Sequence, residues 1–167
     1  MRIFGIAGWS GSGKTTLIAR LLPEFVSRGL RVSTIKHSSH AFEIDKPGKD
    51  SHTHRHAGAS EVLVSSGRRW ALIHENRNEP EASLDALIAR MTPVDLLLVE
   101  GFKAYPHPKI EVHRPANGKP LLAPADPHIV AVASDVALPS LRIPCFPLDD
   151  AAAITDFIMA ECGLKAA

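Results

Sequence analysis

The chain has few cysteines, almost no excess of either charge and no long apolar run. Its two cysteines, Cys145 and Cys162, form no CxxC spacing, which argues against a disulfide framework or a four-thiolate zinc site. Nineteen Lys+Arg against 18 Asp+Glu leave a formal net charge of +1. A nonspecific nucleic-acid binder carries a basic excess, so no nucleic-acid partner is expected and any affinity for anions must come from local placement of charge. No apolar run approaches the roughly 18 residues that cross a bilayer, and no membrane association is expected. The apolar stretch at the N-terminus is too short for a signal peptide. The expectation is a soluble, cytoplasmic protein.

What remains is ordinary globular composition, 45% hydrophobic and 22% charged. The length suits a single domain, 1–167, with a core of its own. The pattern alternates strand and helix. Strands are expected at 3–7, 32–37, 61–65, 69–75, 96–99 and 129–133, and helices at 14–28, 52–59, 81–91 and 149–160. The run 96–99 is continuously apolar, the form of a strand buried on both faces. The segment 109–114 alternates apolar with polar, as an exposed or edge strand would. The expected fold class is α/β, P-loop NTPase-like, with a mainly parallel sheet flanked by helices and an added edge-strand region.

Gly8-Trp9-Ser10-Gly11-Ser12-Gly13-Lys14-Thr15 fits G-x-x-x-x-G-K-[ST] in full. An apolar strand precedes it and an amphipathic helix follows, the setting the motif requires. Phosphate oxygens need a ring of N–H donors, and Gly8, Gly11 and Gly13 allow the tight backbone path that supplies them around Ser12. The helix beginning near Lys14 turns its N-terminal amides toward the anion. Lys14 adds a point charge for the β- and γ-phosphates, Thr15 a hydroxyl for Mg²⁺, and Thr16 a donor for the α-phosphate.

Ligands of open α/β sheets sit outside the carboxyl ends of the strands. Glu100 closes the 96–99 run on that side and is the candidate acid for Mg²⁺, in a catalytic as well as a metal-holding role. Asp95, before the same run, belongs on the opposite edge. Asp135 follows 129–133. A carboxylate there can accept from guanine N1–H and the 2-amino group, which adenine lacks; the other reading is a turn or N-cap residue. Lys36 and His37 close a strand on the ligand side. The loop after them carries Asp50, a candidate to bind Mg²⁺ or position water, with a plain polar surface loop as the alternative. Histidines 37, 40, 52, 54 and 56 raise zinc or nickel binding. On a helix 52, 54 and 56 would scatter, and without a Cys partner or an HExxH pattern solvated histidines are favoured.

Several of these segments together resemble one family. Gly8–Thr16, Thr34-Ile35-Lys36-His37, Asp45-Lys46-Pro47-Gly48-Lys49-Asp50-Ser51 with Arg55 and Ala57-Gly58-Ala59, and Val99-Glu100-Gly101-Phe102-Lys103 are similar, in order, to the MobB family of molybdopterin-guanine dinucleotide biosynthesis adaptor proteins. The resemblance reaches through 129–135. It implies a GTP-binding homodimer with at most weak GTPase activity. It also implies a partner, the MobA-type guanylyltransferase that joins GMP to molybdopterin, and it favours guanine recognition by Asp135. Lys36, Lys49, Arg55 and Lys103 are then basic positions for a molybdopterin phosphate. Trp9 and Ser10 stand where some wider relatives carry an extra lysine, so a dimer-crossing lysine is not carried over. The competing readings are a nickel-chaperone-type GTPase and a small-molecule P-loop kinase.

Overall fold

Alternating apolar runs and 3.6-residue periodicities give alternating strands and helices. A computed structural model describes residues 1–38 and 42–166. In chain order the elements are β1 (Arg2–Ala7), α1 (Lys14–Ser27), β2 (Val32–Lys36), α2 (Asp50–His56), β3 (Glu61–Ser65), β4 (Trp70–His74), α3 (Leu84–Ile88), β5 (Leu96–Glu100), β6 (Lys109–His113), β7 (Ile129–Ser134), β8 (Cys145–Pro147) and α4 (Ala151–Glu161). They form two compact units, 1–37 with 92–167, and 38–91. No helix among the described residues is long and apolar enough to cross a membrane.

The first unit is built on a six-stranded sheet in the order β2-β5-β1-β6-β7-β8, every neighbouring pair parallel. All five residues of β5 are buried, as a strand with both faces covered must be. On one face Phe4, Ile6, Leu96, Leu98, Ile110, Val112, Ala131 and Ala133 pack against Leu17, Leu21 and Phe25 of α1 and Ile154 and Ile158 of α4. The i, i+4, i+8 spacing of the α1 residues is what aims them at the sheet.

The alternation in 109–113 does not mark an exposed or edge strand. β6 lies between β1 and β7, and all five of its residues are buried. Ile110 and Val112 join the helix-side core, while Lys109 and Glu111 enter a buried polar layer on the other face. Lys109 Nζ lies 3.0 Å from Asp126 Oδ2. The Glu111 carboxylate accepts from the Leu122 amide at 2.9 and 3.0 Å and from the Ala123 amide at 2.9 Å. The irregular 114–128 segment thus supplies partners where a sequence pattern suggests water. β8 is short, lies between Pro144 and Leu148, and carries no periodic signal. The expected helix 81–91 contracts to α3, because Ser83 is extended and caps it, accepting from the Ala86 amide.

In the second unit β3 and β4 form an antiparallel hairpin, with Val62 opposite Ile73 and Leu63 opposite Leu72. Arg55 of α2 is its polar centre. The guanidinium donates to Asp45 Oδ1 at 2.7 Å, to Glu43 Oε2 at 2.6 Å and to Glu75. Three carboxylates therefore hold Arg55 as a brace between the 43–45 loop, α2 and the end of β4.

Candidate functional site

The site starts where β1 must turn into α1. Gly8 has φ +140°, and a Cβ there would lie 2.5 Å from the Val112 carbonyl oxygen and 2.8 Å from Ser12 Oγ. Gly13 has φ +99° and caps α1 in the left-handed conformation without a side-chain cap. The first amides of α1 are thus left without a capping side chain, as an anion site at a helix start requires. Ser12 Oγ is buried with no partner among the described residues. A backbone cradle with an orphaned hydroxyl inside it fits a phosphate group. Gly11, also at positive φ, completes the loop, and Thr16 is exposed in the first turn of α1.

Charged groups from neighbouring strands converge beside this loop. The Thr15 hydroxyl donates to Glu100 Oε1 at 3.2 Å and Oε2 at 3.3 Å. Lys36 Nζ is 3.4 Å from Thr15 Oγ1 and 3.6 Å from Glu100 Oε1. The register explains the meeting: Lys36 is opposite Glu100 across β2 and β5, and Ile6 is opposite Glu100 across β1 and β5. His37 continues the pattern. Its amide donates to the Glu100 carbonyl at 2.8 Å, and its ring lies 4.9 Å from that of Phe102. A hydroxyl beside a buried carboxylate is a donor set that suits Mg²⁺.

Lys14 donates to the Trp9 carbonyl at 2.9 Å, arching over the loop. Burial lowers its pKa below the usual lysine value; Glu100 opposes this, and the cations Lys103 and Lys36 add to it. Lys103 Nζ also stands 4.7 Å from the centre of the Trp9 ring, a cation–π distance. The indole N–H of Trp9 donates to the Pro120 carbonyl at 2.8 Å.

Asp135 lies one residue beyond β7. Its Oδ2 accepts from Arg114 Nη1 at 2.8 Å, and it lines a cavity of about 410 Å³ with Val136, Leu138, Phe146 and Pro147. That volume lies within the range of small-molecule sites. Sequence reasoning named Asp135 and missed Arg114, whose only signal was its place at the end of an alternating run.

The first unit therefore brings together Gly8, Gly11, Ser12, Gly13, Lys14, Thr15, Thr16, Lys36, His37 and Glu100, with Asp135 at the end of a strand two places from β1. Asp50 belongs to the second unit, where it is exposed and opens α2. Arg55, engaged by its three carboxylates, is a structural brace and not a free phosphate ligand. Histidines 52 and 56 do not scatter: one helical turn apart, their rings stack at 3.9 Å. His40 lies outside the described residues. Among the described residues no three His, Cys, Asp or Glu side chains gather as metal ligands.

The family model described as molybdopterin guanine dinucleotide synthesis protein B matches residues 3–135. The molybdopterin-guanine dinucleotide biosynthesis adapter protein of Escherichia coli is 42% identical over 160 residues, covering 94% of this chain and 91% of that protein. The Haemophilus influenzae protein of the same description is 46% identical over 138 residues, 81% of this chain and 76% of its own length. A crystal structure of molybdopterin-guanine biosynthesis protein B superimposes with a TM-score of 0.74 at 30% identity, covering 96% of this chain and 99% of the other. The Bacillus subtilis MobB crystal structure gives 0.75 at 26% identity, covering 97% and 98%.

Proposed function

The chain belongs to the MobB family, and from that premise we propose that it is a GTP·Mg²⁺-binding adapter of molybdopterin guanine dinucleotide synthesis. In this reading it serves as a homodimer in the cytoplasm. Its partner is a MobA-type guanylyltransferase, which joins GMP to molybdopterin.

The observation that carries the reading is the cradle at Gly8–Thr15, with its orphaned Ser12 hydroxyl and the Thr15–Glu100 pair beside it. Loop amides and the start of α1 receive the β- and γ-phosphates, and Lys14 adds its ammonium. Thr15 and Glu100 would hold Mg²⁺, which when bound neutralises phosphate charge. Thr16 faces the α-phosphate. Asp135 accepts from the N1–H and 2-amino group of guanine. Lys36, His37 and Lys103 of the first unit are assigned to a second anionic ligand, for which the phosphate of molybdopterin is suited.

Hydrolysis is slow in this reading. Among the described residues no arginine is assigned to stabilise transferring charge, and such a group is worth about 10³–10⁵ in rate. Calorimetric titration of GTP and ATP, with and without Mg²⁺, tests the assignment. The wild type should bind GTP in preference to ATP, and Lys14→Ala should weaken both by about tenfold or more. Absence of triphosphate binding by folded wild-type protein would refute it. Guanylyltransferase assays with and without the chain test the adapter role separately.

A further inference from the structure

Three consecutive strand ends, those of β1, β6 and β7, carry the phosphate loop, Arg114 and Asp135 in that spatial order. The register makes the last two neighbours: His113 is opposite Ser134 across β6 and β7, so Arg114 and Asp135 each stand one residue beyond the sheet. The Arg114 guanidinium uses both sides of its fork. Nε donates to the Ser12 carbonyl of the phosphate loop at 3.0 Å, and Nη1 donates to Asp135 Oδ2 at 2.8 Å. A Cβ placed on Gly13 would be 3.5 Å from Nε and 3.7 Å from Nη2, so the rest of the fork lies against the start of α1.

We propose that Arg114 is a positioning residue that ties the purine-reading carboxylate of Asp135 to the phosphate loop, so that one side chain links the grip on the triphosphate to the choice of base. The inference rests on the guanine reading given above. The Arg114 and Asp135 side chains are more than a third exposed, and an isolated exposed pair of this kind is weak and mobile. A planar guanidinium anchored at a loop carbonyl is different, because its orientation is fixed before the second bond forms. Asp135 Oδ2 is thereby engaged, and Oδ1 keeps no partner among the described residues. The carboxylate is held in one plane, with Oδ1 and the second lone pair of Oδ2 left for the paired N–H groups of guanine. Adenine would place its ring N1, an acceptor, against that oxygen, and the mismatch leaves both unpaired. The link also runs the other way. Whatever draws on Asp135 pulls through Arg114 on the Ser12 carbonyl, between Gly11 and Gly13 of the phosphate cradle.

The test is a set of dissociation constants for GTP and ATP, with Mg²⁺, on the wild type, Arg114→Ala, Arg114→Lys and Lys14→Ala. The wild type should favour GTP by about 100-fold. Lys14→Ala should weaken both nucleotides and keep their ratio. Arg114→Ala should bring the ratio to within about threefold of unity, beyond any common loss of affinity. Arg114→Lys should leave the preference largely lost, because an ammonium lacks the two-sided fork. A loss in Arg114→Ala shared equally by GTP and ATP would reduce Arg114 to a brace of the loop and overturn the proposal. A full preference in Arg114→Lys would equally overturn the need for the fork. A wild type that binds both equally would instead sink the guanine reading, before any variant is made. Thermal melts of each variant confirm that the compared proteins are folded.

Discussion

The Thr15 hydroxyl bridges both oxygens of Glu100, at 3.2 and 3.3 Å, and the Lys36 ammonium stands 3.6 Å from the same carboxylate. Glu100 is only 7% exposed, and its carboxylate, beside the Thr15 hydroxyl and the Lys36 ammonium, has capacity left for a metal ion. Glu100→Gln removes the charge and keeps the shape. The expected result is about a 10–100-fold loss in Mg²⁺-supported triphosphate binding, on the scale of a charged hydrogen bond. Binding without Mg²⁺ should change less, because the loop amides and Lys14 are untouched. Equal losses with and without the metal would remove Glu100 from the metal-holding role.

Gly8 tests the backbone of the cradle. Its φ of +140° is costly for any other residue, and a Cβ would come 2.5 Å from the Val112 carbonyl oxygen. Val112 is in β6, held between β1 and β7, so that oxygen cannot retreat cheaply. Gly8→Ala should cost about 1–3 kcal/mol of stability and weaken triphosphate binding by more than tenfold. Denaturant titration and calorimetry read the two effects separately.

The parts of this fold that were legible in sequence are those with a period or a motif. Gly8–Thr15 declares itself because each residue type serves one geometric demand, and Glu100 follows from the rule that ligands gather at strand ends. The pattern of β6 departs from its burial for a physical reason. Lys109 and Glu111 have the spacing of a solvated face, but their partners, Asp126 and the amides of Leu122 and Ala123, come from an irregular segment without periodicity. Once β6 is taken for an edge, Arg114 has no neighbour at the end of β7, and its bond to Asp135 cannot be foreseen. The His52–His56 stack has no signal in the alternation of histidines 52, 54 and 56, because neighbours on a helix are four apart.

Glu111 carries the next prediction. Its carboxylate is fully buried and satisfies two backbone amides, at Leu122 and Ala123. Two residues before Leu122 is Pro120, whose carbonyl receives the indole N–H of Trp9 in the phosphate loop. Glu111→Ala orphans both amides and should destabilise the protein by about 2–4 kcal/mol. It should also free Trp9, shifting its fluorescence in a Trp70→Phe background. Glu111→Gln keeps an acceptor oxygen and should lose about half as much. An unchanged Trp9 signal in folded Glu111→Ala would break the link between this buried acid and the loop.

His107 sets an acid limit on stability. Both ring nitrogens are buried without a partner among the described residues. Burial pushes the imidazole pKa from 6.5 down to about 4, and the charges of Lys109 and His128 push the same way against Asp126. The folded state therefore takes up this proton later than the unfolded chain. Above pH 6.5 neither state holds it and stability is unaffected. As the pH falls from 6.5 toward 4 the unfolded chain is protonated first, and stability drops by an amount on the order of 3 kcal/mol. His107→Leu should remove that slope and leave neutral-pH stability equal or higher, since an unpaired polar ring is replaced by an apolar side chain. Urea unfolding between pH 7 and pH 4 measures both curves, and a slope that survives in His107→Leu would assign the acid sensitivity to another group.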